Sequence, residues 1–292
     1  MDRLRRYTVA VAQMDSQNDK EANLRTACRY AEEAAANGAK LVCFPENMNL
    51  CGRNIGEGGG RETIPGYTVE KLAQHARKHG IYIHCGSLYE KTEGEARVSN
   101  TSVLLDPKGE ILCRYRKLHV FDGVLSDGTL CRESMKVRPG DRIVTVDTAL
   151  GVLGMSICYD VRFPELYRLM AARGAQLMIV PANFTAPTGK DHWEVLLRAR
   201  AIENFCYVLA ADQTGRKEQY AAYGNSMIVD PWGRVLAKAK DRPEVIYAEV
   251  DLDLLEEIRS RMPVLQHRRT DIYDVIGREA GVASGHKQGA VR

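Results

Sequence analysis

Cys158 closes an apolar run, Val152-Leu153-Gly154-Met155-Ser156-Ile157, and stands just before a helix opened by Phe163-Pro164-Glu165-Leu166. Proline suits a first helical turn, and an acid suits its positive end. A thiol at such a strand-to-helix turn meets backbone donors and the helix dipole, and both favour thiolate. The chemistry this points to is nucleophilic attack through a covalent intermediate. A small buried residue fits the position equally well. Glu46 follows a second apolar run, Ala39 to Phe44, after Pro45. A carboxylate there can face the crevice at strand ends where α/β proteins bind ligands, although a solvated turn acid looks the same. Lys117 lies in Arg114-Tyr115-Arg116-Lys117-Leu118-His119. It is either one charge of an edge strand or an inward ammonium, able to hold an oxyanion beside backbone N–H groups near Cys158.

Positioning these groups requires strands that alternate with helices, an α/β class. Strands are expected over Tyr7–Gln13, Ala39–Phe44, Ile81–Leu88, Val98–Leu105, Glu110–Tyr115, Arg142–Val146 and Val152–Ile157. Helices are expected over Asp19–Asn37, ending at Gly38, and over Thr68–His79, ending at Gly80. The second half repeats the grammar of the first. Gly38-Ala39-Lys40-Leu41-Val42-Cys43-Phe44-Pro45 resembles Gly174-Ala175-Gln176-Leu177-Met178-Ile179-Val180-Pro181. Asp106-Pro107-Lys108-Gly109 and Asp230-Pro231-Trp232-Gly233 are matching hairpin turns, with glycine taking the positive φ. Two related halves imply a helix–sheet–sheet–helix sandwich; shared strand-and-turn chemistry is the alternative. The halves differ at one point: Pro45 precedes Glu46, whereas Pro181 precedes Ala182.

The chain has 292 residues, 45% hydrophobic and 27% charged, enough for one large domain. No run approaches the ~20 apolar residues of a membrane span, and the apolar segment near the N-terminus is too short for a signal peptide. A soluble cytoplasmic protein is therefore expected. Eight cysteines without a C-x-x-C pair fit free thiols in a reducing compartment. A net charge of +3, from 41 basic and 38 acidic residues, is too balanced to imply nucleic acid. His75 and His79 have metal-like spacing, but two exposed polar residues of a basic helix account for them more simply. No metal site is expected.

Phe44-Pro45-Glu46, Tyr115-Arg116-Lys117-Leu118-His119 and Ile157-Cys158-Tyr159-Asp160-Val161-Arg162-Phe163-Pro164-Glu165 resemble the three catalytic motifs of the nitrilase superfamily of carbon–nitrogen hydrolases. Glu133-Ser134 resembles that family's second glutamate. His192-Trp193-Glu194, Arg198 to Asn204, Asp230-Pro231-Trp232-Gly233 and Gln266-His267-Arg268-Arg269 extend the likeness along nearly the whole chain. The resemblance implies a four-layer α-β-β-α sandwich with pseudo-two-fold halves over residues 1–276, and a flexible or partner-covering tail over 277–292. It also implies no cofactor, and a homodimer or larger homo-oligomer. Glu46 would be the general base, Lys117 and the Tyr159 backbone N–H would hold the oxyanion, and Glu133 would orient Lys117 or the substrate. Cys158 would form a thioester, which water then hydrolyses.

Arg162, four residues after the thiol, has a guanidinium able to fork onto a substrate carboxylate, as the matching arginine does in similar amidases. An ion pair with Asp160 or Glu165 is its alternative. Phe184, Thr185 and Thr188 would line the pocket, and Arg53 would meet an anionic tail. The segment from Glu46 to Asn54 is similar to the deaminated-glutathione amidase branch, with the omega-amidase branch beside it. The loop Phe121 to Gly128 departs from that branch. The implied substrate is a small carboxylate-bearing amide. A nitrilase, an N-carbamoyl amino acid amidohydrolase, a papain-like enzyme using His119 or His192, and a non-catalytic binding protein are the competing classes.

Overall fold

The computed structural model describes residues 3–52, 60–124, 128 and 130–277. Strand β1 (Arg6–Gln13) leads to Asp19, whose carboxylate caps helix α1 (Lys20–Ala36) by accepting from the Ala22 N–H. β2 (Ala39–Cys43) and a short β3 (Arg61–Glu62) precede α2 (Tyr67–His79), which stops at left-handed Gly80. β4 (Tyr82–His84), β5 (Leu88–Glu90), β6 (Ser99–Leu105) and β7 (Ile111–Arg116) follow. A two-stranded ribbon, β8 (Asp122–Val124) and β9 (Leu130–Arg132), connects the halves.

The second half contains β10 (Thr145–Thr148), β11 (Gly151–Met155), α3 (Pro164–Ala172) and β12 (Leu177–Ala182). It continues with α4 (Ala186–Asn204), β13 (Tyr207–Asp212), β14 (Met227–Val229) and β15 (Val235–Lys238). β16 (Glu244–Asp251) then crosses back to pair antiparallel with β1, and α5 (Leu252–Arg261) follows it.

The repeat read in the sequence is a repeat of topology. β1, β2 and β4 run parallel and are continued by antiparallel β6 and β7. β11, β12 and β13 run parallel and are continued by antiparallel β14 and β15. The two Asp-Pro-x-Gly segments make the same turn. Asp106 and Asp230 each accept two backbone N–H groups, and Gly109 and Gly233 sit at φ 74° and 81°.

Period-two alternation separates the layers. Val9, Val11, Leu41 and Cys43 face Leu153, Met155, Leu177 and Ile179 between the sheets. Ala10, Ala12, Val42 and Phe44 face α1 and α2, while Met178, Val180, Val208 and Ala210 face α3 and α4. Three cores therefore make four layers, α-β-β-α, as expected.

Two features differ from the expectation. The strand foreseen over Ile81–Leu88 is broken between His84 and Leu88, with Gly86 at φ 62°. A Cβ on Gly86 would run into the Pro45 carbonyl, so the break is where the Glu46 turn passes. α4 was not foreseen: its even mixture of apolar and polar residues carries little amphipathic signal. Residues 278–292, most of the expected tail, lie outside the described residues. Among the described residues no helix is long and apolar enough to cross a membrane.

Candidate active site

Glu46 is delivered by the turn after β2 and is 4% exposed. Its N–H reaches the Ala182 carbonyl at 3.3 Å, so the two positions that differ between the repeats are hydrogen-bonded to each other. Gln213, just after β13, donates to the Glu46 carbonyl at 2.9 Å. The Glu46 backbone is thus held by the second half of the chain. Its side chain is held by the first half, where Asn100 of β6 donates to Oε1 at 2.8 Å.

Lys117 follows β7 and is 3% exposed. Its N–H bonds to the Asn100 carbonyl at 2.9 Å. Nζ lies 3.1 Å from Glu46 Oε1 and 3.0 Å from both carboxylate oxygens of Glu133. Burial alone would strip the proton from such an ammonium. The Glu46 and Glu133 charges reverse that and hold Lys117 well above the ordinary lysine range. Glu133 opens the helical turn after β9, and its Oε2 also accepts the Phe121 N–H.

Ile157 is extended, and Cys158 turns to φ 49° at the start of a tight 3-10 turn, Cys158–Arg162. A non-glycine residue there is uncommon and costs energy that the surroundings must hold. Asp160, fully buried, does the holding. Its carboxylate accepts the Ile157 N–H at 2.9 Å, the Tyr115 hydroxyl at 2.6 Å and the His119 N–H at 3.0 Å, and lies 2.7 Å from His119 Nδ1. The His119 ring stacks on Phe163 at 3.6 Å. These bonds join the Lys117 segment to the Cys158 turn.

The thiol of Cys158 meets the Glu46 carboxylate and the Asn183 backbone N–H. Burial pushes this thiol well above its ordinary value, and the Glu46 charge adds to the effect. Lys117 and the Asn183 N–H offset this only in part. The expected thiolate is therefore corrected: the resting group is a neutral thiol beside a carboxylate acceptor. Tyr159 is the second residue of this turn, so its N–H follows the nucleophile directly in the chain.

Arg162 does not form the alternative ion pair with Asp160, whose oxygens are taken. Its Nη1 lies 3.3 Å from His192 Nδ1, and its guanidinium sits over the Tyr159 and Phe184 rings at 5.8 and 5.4 Å. Phe184 is buried against Trp193 and donates its N–H to Asp212. Thr185 caps α4, with its hydroxyl 2.9 Å from that of Thr188. Arg53 lies outside the described residues, as do 125–127 of the divergent loop.

Sequence reasoning missed Asn100, Asn183, Gln213 and the anchoring part of Asp160. Asn100 sits in a strand buried on both sides, where a polar residue needs a partner. That was the available signal. The other contacts arise only when the halves meet. None of the eight cysteines forms a disulfide.

Comparison with known proteins gives the family. A deaminated glutathione amidase from Synechocystis sp. PCC 6803 is 43% identical over 266 residues, covering 90% of this chain and 98% of that protein. The human omega-amidase NIT2 is 39% identical, covering 92% of this chain and 97% of that protein. The NitFhit fusion protein of Caenorhabditis elegans is 42% identical, and this chain spans only 62% of its length. The crystal structure of NitFhit superposes with a TM-score of 0.85 at 40% identity, covering 94% of this chain and 68% of that one. The sequence profile of the carbon–nitrogen hydrolase family matches residues 8–260, nearly all of both repeats, and the chain belongs to that family.

Proposed function

We propose that this chain is an amidase that hydrolyses the C–N bond of a small amide bearing a carboxylate, with Cys158 as nucleophile. The observation that carries the reading is the convergence of a thiol, a carboxylate and a buried ammonium from three separate segments. The names of its relatives support the reaction class. Their identities, 43% and 39%, do not separate a deaminated-glutathione amide from a keto-acid monoamide.

Glu46 takes the thiol proton as sulfur adds to the amide carbonyl. This suits a thiol that burial keeps protonated until a substrate arrives. The developing oxyanion is held by the Lys117 ammonium and the Tyr159 N–H. Glu46 passes its proton to the departing nitrogen, leaving a thioester on Cys158. Water enters, Glu46 removes its proton, and the acid is released. Glu133 positions Lys117 and balances its charge. Arg162, with no ion pair to an acid among the described residues and 3.3 Å from His192 Nδ1, is the group for the substrate carboxylate, with Phe184, Thr185 and Thr188 beside it. Arg53 belongs to the same proposal for an anionic tail.

A cytoplasmic setting and self-association complete the reading. Val195, Ile202 and Trp232 are 68%, 45% and 48% exposed around α4 and the neighbouring hairpin turn, an apolar face suited to a second copy. Sedimentation at micromolar concentration should give a dimer or larger; a monomer throughout would contradict this part.

Lys117→Met should lower kcat by about 10²–10³-fold, the cost of one lost oxyanion donor. It should also lower Tm, since two buried carboxylates then face each other. Adding Glu133→Gln should recover part of the Tm and none of the kcat. Recovery of both would make Lys117 structural only.

Arg162→Gln should raise KM for monoamides of dicarboxylic acids by about 10–100-fold, the range expected for a charge-assisted contact. KM for an uncharged amide should hardly move. Equal effects on both would remove Arg162 as the clamp. In the same panel, ammonia from a simple nitrile but not from amides would overturn the substrate class.

A further inference from the structure

The outer helical layer carries a second cluster, unconnected with the thiol. His75 and His79 lie four residues apart on α2, and their rings stack at 6.0 Å. Glu32 of α1 meets them: its Oε1 is 3.6 Å from His75 Nδ1 and 3.9 Å from His79 Nε2. Both separations exceed a hydrogen bond. Both ring nitrogens are buried and have no hydrogen-bond partner. The three ligand atoms all lie within 4.8 Å of one another. The helices beneath are fixed by Leu24, Ala27, Ala31, Val69, Leu72 and Ala76 of the core.

Two buried nitrogens without hydrogen-bond partners, beside a carboxylate oxygen that Lys78 engages, leave a gap that a cation fills. We propose that Glu32, His75 and His79 bind a divalent transition-metal ion of the zinc type, clamping α1 to α2. An N₂O donor set suits Zn²⁺ and its neighbours, and rules against Ca²⁺ and Mg²⁺, which take oxygen ligands. Metal–ligand bonds of about 2.0–2.2 Å require these three atoms to draw closer together. Small side-chain rotations supply that. Lys78 Nζ, 2.9 Å from Glu32 Oε1, is the competitor; its side chain is 63% exposed and can swing away. The ion would sit on the helical side of the first sheet, so its effect is on stability and not on the reaction.

The test is titration of the full chain with Co²⁺ and with Zn²⁺. Co²⁺ should give d–d absorption without thiolate charge transfer, which separates this site from the cysteines. His79→Gln and Glu32→Gln should each weaken binding by about 10-fold or more and abolish the Zn²⁺-induced rise in Tm. Lys78→Gln should tighten binding, because the competing ammonium is gone. Absence of binding, a thiolate-type spectrum, or affinity unchanged in His79→Gln would each overturn the site.

Discussion

One buried ammonium organises this molecule. Lys117 Nζ is shared between Glu46 and Glu133 where almost no solvent reaches it. Removing three charges from water is costly, and the mutual attraction repays it only when the geometry is fixed and the remaining polar atoms are satisfied. Much of the local architecture meets that condition. Asn100 holds Lys117 through its backbone and Glu46 through its side chain. The β8–β9 ribbon brings Glu133 back against the segment it left, and the Phe121 N–H donates to one of the two oxygens that Lys117 also meets. Without the cation the two carboxylates would repel each other at the spot where the proposed base must sit.

The second constraint is the junction of the repeats. Each half ends a parallel strand at a proline, and Glu46 and Ala182, the residues after those prolines, bond to each other. Asn183, one residue on, turns its N–H to the Cys158 sulfur. The acid from one half and the thiol from the other therefore meet where the halves are hydrogen-bonded together. Asp160 ties the bend at Cys158 to Tyr115 and His119 of the first half. The charged cluster and the sulfur are held as one unit, although their residues are distant in the chain.

Much of this was legible in the sequence, and the reasons are specific. Asp19, Gly80 and the two Asp-Pro-x-Gly turns obey local rules, so the elements they bound were foreseen to within a residue or two. The layers were foreseen from the matching segments of the two halves and from the family resemblance. What failed was long-range. The break at Gly86 exists because another segment passes over it, which no local pattern records. α4 hides because it is covered on one side only by scattered residues such as Trp193, Leu197 and Ala201. The thiolate expectation followed from the turn alone; burial and the Glu46 charge, both tertiary, reverse its sign. Cys158, Glu46 and Lys117 stood out by position, their roles and Glu133 came through resemblance, and their convergence needed three dimensions.

The proposed chemistry reduces to one covalent event, an acyl group carried by sulfur. Peptide mass spectrometry of the chain, acid-quenched during turnover of a monoamide of a dicarboxylic acid, examines it directly. The account predicts acyl mass on the peptide containing Cys158 and on no other cysteine. Release of ammonia with the acyl group on a different residue, or with Cys158 unmodified even at the earliest quench times, would contradict it.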